Sequence, residues 1–135
     1  MITSERMSEQ FEKLHLQIGK FPITLHHFTG PDVGDPHDHP LPFVTTILRN
    51  PYVEEIWDRY DGSIQVVIRH PGTSHRVAAG TIHRIISLPY GECITSVEWD
   101  ERFARQEPRF YRLINGVMQS RRWDEPEFAP SGEAK

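Results

Sequence analysis

Cysteine is almost missing from this chain. Cys93 stands alone among 135 residues, so no intramolecular disulfide forms and a disulfide-stapled scaffold is excluded. No apolar run approaches the roughly 18 residues that a membrane helix needs. The N-terminus lacks the basic, apolar and small-residue succession of a signal peptide, so the expected setting is reducing and cytoplasmic. An excess of positive charge is missing too. Fifteen Lys+Arg against 19 Asp+Glu leave a formal charge of −4, the reverse of the footprint that tracks phosphate backbones. Neither nucleic acid nor membrane is an expected partner.

What is present is a globular composition, with 37% hydrophobic and 25% charged residues. At this length one domain, 1–135, is expected, burying about two thirds of the unfolded surface without help from a structural metal. Helical spacing occurs once, at Met7, Phe11 and Leu14 behind a Ser4 cap, and predicts a short N-terminal helix over 1–14. From residue 15 to 123 the pattern becomes short β-branched or aromatic runs such as FVTTIL, YVEEIW, CITSVEW and RFYRLI, separated by turn residues. Eight or nine such strands predict an all-β sandwich or barrel. Asn115-Gly116 is the clearest hairpin signal, and Asp61-Gly62 joins YVEEIW to SIQVVI in the same way. Residues 124–135 are expected to form a frayed polar tail.

Histidine carries the chemistry. Six of eight histidines fall between His26 and His75. In extended backbone His37 and His39 of Asp35-Pro36-His37-Asp38-His39-Pro40 project from one face, the spacing at which two imidazoles hold one divalent ion. His83, after the turn at Gly80, is the best third ligand. Three neutral imidazoles leave coordination positions open for water or substrate.

These residues reach a known pattern. The H-x-H of His37 and His39, an aliphatic strand and turn, and the G-x-x-H ending at His83 some forty residues later resemble the two signature motifs of the cupin superfamily. The resemblance runs from about residue 23 to 99. It implies an antiparallel double-stranded β-helix, or jelly-roll barrel, with His37, His39 and His83 as metal ligands. The implied cofactor is a divalent ion: Fe, Ni, Zn or Mn. Phe43 and Val44 stand where the family places its motif glutamate. The all-histidine set resembles the thiol dioxygenase branch, although the arginine and tyrosine of that branch have no clear counterpart. The chain is also similar to small bacterial and phage cupin-like proteins through Leu25-His26-His27-Phe28, His37-Asp38-His39-Pro40, Tyr52 and an acid, Arg69 to Gly72, and His83-Arg84. That likeness implies no reaction.

Around the ligands, alternation lets only one of Glu54 and Glu55 point inward, and Glu55 is the candidate to replace the motif glutamate. His27 or His26, but not both, lines the cavity. His75 shares a face with Val77 and Ala79 and approaches the site. Tyr52, Trp57, Phe43 and Trp99 fill the interior, and Cys93 is expected to act as a small hydrophobe. The expected function is a small metal-binding cupin acting as an oxygenase on a small molecule. The alternatives are a non-catalytic binding or structural cupin and a metal-independent sugar epimerase. No catalytic residue is assigned from sequence, and a homodimer is expected because strand edges favour pairing.

Overall fold

A computed structural model describes residues 2–19, 21–32 and 34–130. The described residues form twelve strands and no helix: β1 (Ile2–Ser8), β2 (Phe11–Ile18), β3 (Phe21–Phe28), β4 (Phe43–Arg49), β5 (Tyr52–Trp57), β6 (Ile64–Arg69), β7 (Ser74–Val77), β8 (Ile82–Ser87), β9 (Cys93–Trp99), β10 (Arg109–Ile114), β11 (Val117–Arg122) and β12 (Ala129–Pro130). One antiparallel sheet has the order β1-β2-β3-β9-β4-β7, and two three-stranded sheets have the orders β6-β5-β8 and β10-β11-β12.

His37 joins the two smaller sheets. Its N–H donates to His83 O at 3.0 Å and its carbonyl accepts from His83 N–H at 3.0 Å, while on the other side Asp38 N–H donates to Arg109 O and Tyr111 N–H to Pro36 O. Residues 36–38 thereby act as a strand between β8 and β10. The layers face one another as open sheets, and the core cluster of Phe28, Ile47, Tyr52, Ile85 and Cys93 draws on both.

Alternation explains which side chains enter. Phe43, Thr45 and Ile47 of β4 are buried, as are Cys93, Thr95 and Val97 of β9, with the residues between them more exposed. This period of two is the signature of strands with one wet face. Asn115 and Gly116 both carry positive φ, 51° and 76°, and close the β10–β11 hairpin as expected. The β5–β6 hairpin turns through 58–63, where Asp58 Oδ1 accepts the N–H groups of Tyr60 and Asp61. Gly62 sits there at φ +71° with Leu113 Cδ1 only 2.9 Å from where a Cβ would stand, so any side chain would be strained and crowded.

The expected N-terminal helix is a correction. Residues 2–18 form the β1–β2 hairpin instead, turning at Glu9-Gln10. Phe11, read as part of a helical stripe, lies opposite Phe28 in the β2–β3 ladder and stacks on it at 4.8 Å. A single short helix is marginal. Eight consecutive pairings along β3, by contrast, satisfy an edge that would otherwise be left open. Tertiary pairing overrides the local pattern. At the other terminus β12 pairs with β11 through Gln119–Pro130 and Ser120–Ala129, while residues 131–135 of the expected tail lie outside the described residues.

Asp38, 4% exposed, anchors the bridging segment: Oδ1 accepts from Arg109 N–H at 2.8 Å and Oδ2 from Tyr111 O–H at 2.7 Å. Tyr111→Phe removes that hydroxyl and leaves a buried carboxylate oxygen underserved. We expect a loss of about 1–3 kcal/mol, read as a lower urea midpoint at unchanged slope.

Candidate metal centre

The register of the His37–His83 bridge places two imidazoles together. Directly opposed residues of an antiparallel pair project to the same face, and His39, two residues on, follows by alternation. The three ring centroids form a near-equilateral triangle of 5.1, 5.3 and 5.0 Å. One ring nitrogen from each of His37, His39 and His83 lies within 4.8 Å of the other two. The Nε2 atoms of His39 and His83 are 2.8 Å apart and share a hydrogen bond.

Electrostatics favour the ligand form. Burial, then the neighbouring His83, holds both His37 and His39 below the ordinary histidine range, with His37 adding to the effect on His39. Their rings stay neutral at pH 7 and keep a lone pair for an ion. Three neutral nitrogen donors fit Fe, Ni or Zn, and suit Mn less well because Mn prefers oxygen.

Behind His83 stands Glu54, 1% exposed. Its Oε1 accepts from His83 Nδ1–H at 2.9 Å, and its Oε2 accepts from Arg69 Nε–H at 2.7 Å. Burial alone would raise its pKa, but the hydrogen bonds from His83 and Arg69 and the Arg69 charge prevail and hold the carboxyl below its ordinary range. A carboxylate at Nδ1 fixes the tautomer and turns the Nε2 lone pair toward the triangle. The hydrogen in the 2.8 Å contact then belongs to His39 Nε2.

The other sequence candidates lie elsewhere. The structure does not bring Glu55 to the triangle: its Oε1 accepts from Arg84 Nε–H at 2.7 Å and from Trp57 Nε1–H at 3.3 Å. His27 points away from it and spans Glu12 and Glu92 at 3.2 and 3.0 Å, so His26 is the member of that pair that enters the interior. His75 approaches indirectly, with Nε2 3.7 Å from Glu54 Oε2. The residue that sequence reasoning missed is Glu54. Tyr52, already placed inside on its aromatic character, implied it by alternation.

A cavity of about 200 Å³ adjoins the triangle, with aromatic walls that include Phe11, Phe28, Phe43 and Trp99. His26 also lines it, and its buried Nε2 has no hydrogen-bond partner. An outer recess of about 530 Å³ shares His37 and His39 and opens past Phe110 and Trp123. Cys93 is buried, and burial pushes its thiol up to about 11, which removes it as a nucleophile.

No family model matches the chain, and no curated protein matches it in sequence. Solved structures do match in fold. Hydroxypropylphosphonic acid epoxidase from S. wedmorenis superposes with a TM-score of 0.56 at 10% identity over 71% of this chain and 53% of its own. A structure described as Fe(II) HppE gives 0.56 at 10% identity over 73% of this chain and 56% of its own. Peruvianin-I, described as a cysteine peptidase from Thevetia peruviana latex, gives 0.55 at 11% identity over 74% and 67%. The chain spans about half the length of the first two. The matches support a cupin-like fold, and because their descriptions name different activities the fold by itself carries no single chemistry.

Neutral buried histidines make stability depend on pH. His26 is lowered to about 3 by burial, then by Lys13 and His15, and His37 and His39 are lowered as well. The unfolded chain binds protons at these sites below about pH 6.5 while the folded chain does not, so their stabilisation is complete above that pH and fades as pH falls. For His26 the decline continues to about 3. We expect urea midpoints to drop between about pH 7.5 and about pH 5, each such histidine contributing up to about tenfold in the folding equilibrium per pH unit. His26→Leu should flatten that slope.

Proposed function

We propose that His37, His39 and His83 hold one divalent first-row ion within a cupin jelly roll, and that the protein is a metal-dependent oxygenase acting on a small molecule. The observation that carries the reading is the convergence of three imidazole nitrogens within 4.8 Å, with Glu54 orienting one of them from behind. Once bound, the ion supplies Lewis acidity and open positions where dioxygen or substrate can coordinate. The chain's own residues do the rest. Glu54 and Arg69 keep His83 in the ligating tautomer, and the aromatic walls exclude water from the reacting end of a bound molecule. The donor set favours iron, nickel or zinc over manganese, and the fold neighbours described as an epoxidase and as an Fe(II) protein support iron.

A second reading, a binding protein without turnover, is favoured by one observation: among the described residues that line the cavity, the one carboxylate is hydrogen-bonded and the one histidine outside the triangle is only weakly basic. His26 is kept neutral by burial, and the Asp32 carboxylate is engaged by Ile85 N–H at 2.7 Å. Oxygen consumption by the iron-loaded protein in the presence of candidate substrates separates the two.

Elemental analysis tests the centre directly. We expect one ion per chain in the wild type and none in a His37→Ala/His83→Ala variant. Glu54→Gln should keep the fold but weaken metal affinity about 10- to 100-fold, the usual effect of losing a partner that orients a ligating histidine. The homodimer belongs to the same proposal. The exposed residues Ile64, Val66 and Ile68 on edge strand β6, at 47%, 58% and 54%, support it. Light scattering should give twice the 15.7 kDa chain mass, and a single-chain mass would dismiss the dimer.

A further inference from the structure

We propose that the cavity beside His37, His39 and His83 takes an uncharged, single-ring aromatic molecule bearing a hydroxyl, with the ring between the aromatic walls and the hydroxyl at His26 Nε2. The inference deepens the metal-centre reading by naming a substrate class.

Size comes first. At about 200 Å³ the cavity falls below the roughly 300 Å³ at which drug-sized pockets begin, so it has room for one ring and small substituents. Its walls are flat and apolar. Phe11 stacks on Phe28 at 4.8 Å and 16°, and Phe43 lies 5.0 Å from Trp99. Planar rings meet such walls edge-on or offset, gaining more than area burial alone would give.

Charge comes second. Among the described residues no lysine or arginine lines the cavity, and its single carboxylic acid is Asp32, whose Oδ2 already accepts from Ile85 N–H. Lys13 and Arg105 line the adjoining outer recess, which shares Phe11, His26, His39 and Trp99 with the cavity. In the metal-free protein a carboxylate or phosphate would lose its water here without an ion pair inside the cavity, with the buried Glu54 carboxylate nearby.

The unmet polar group comes third. His26 Nε2 is buried and has no partner, although its ring touches Phe11 at 4.9 Å. Buried polar groups are normally satisfied, and a ligand hydroxyl satisfies this nitrogen in either tautomer because it both donates and accepts.

The test titrates the full chain, as purified and after EDTA treatment, with 4-methylphenol, toluene and benzoate, following ligand-detected NMR and tryptophan fluorescence. The expected result is saturable binding of 4-methylphenol in the EDTA-treated protein, at least tenfold tighter than benzoate. His26→Leu should weaken 4-methylphenol at least fivefold and leave toluene unchanged. In the wild type, 4-methylphenol should also shift the His26 ring nitrogen resonances, a readout that needs no variant to fold. Absent saturation, benzoate binding of equal strength, or unmoved His26 resonances would each overturn the proposal. Failure of the metal reading shows separately, as absent metal uptake while 4-methylphenol still binds.

Discussion

The antiparallel bridge between His37 and His83 is the contact from which the rest of the site follows. Its two mutual backbone hydrogen bonds, both 3.0 Å, lock a segment of the β3–β4 connection onto β8. Because opposed residues in such a pair face the same way, the register alone brings two imidazoles together. His39 joins them by alternation. Slipping the register by one residue would send both histidines of the H-x-H to the opposite face. The loop is therefore tied along its length. Asp32 N–H donates to Ile85 O, and its carboxylate accepts the Ile85 N–H in return. Arg84 donates to Gly34 O, and Arg112 grips Asp35 through two hydrogen bonds.

The same bridge makes one sheet out of two. Without residues 36–38 the β10–β11–β12 unit would have no backbone link to β8. With them, Tyr111 reaches Asp38, and Ile82, Tyr111 and Met118 close into a cluster on the far side of β8 from the histidines. The residue between the two histidines of the H-x-H thus serves the fold while its neighbours form the candidate site. This division of labour follows from strand alternation, which sends Asp38 to the face opposite His37 and His39.

Glu54 shows how a buried charge persists in so small a core. A carboxylate at 1% exposure is costly unless it is paired and hydrogen-bonded, and here Arg69 and His83 engage its two oxygens. The arrangement orients the His83 imidazole and pairs the buried charge with Arg69. Glu54, and not Glu55, is thus the inward glutamate of β5, placed behind His83 rather than at the triangle. Glu55 lies one step along β5 on the opposite face, where it meets Arg84 and Trp57.

Short-range chemistry was readable in the chain. The strands announce themselves by alternation, the β10–β11 turn by Asn115-Gly116, and the histidine trio by the spacing of His37 and His39 and by a glycine turn before His83, because each signal spans only a few residues of backbone geometry. The N-terminal segment was misread for a complementary reason. Met7, Phe11 and Leu14 fit a helix as well as they fit a hairpin, and only the waiting edge of β3 decides between them. The choice of Glu54 over Glu55, and of His26 over His27, turns on which face of a strand meets the second sheet. Pairing register across the fold sets that face, and register is a long-range property that no local run of residues encodes.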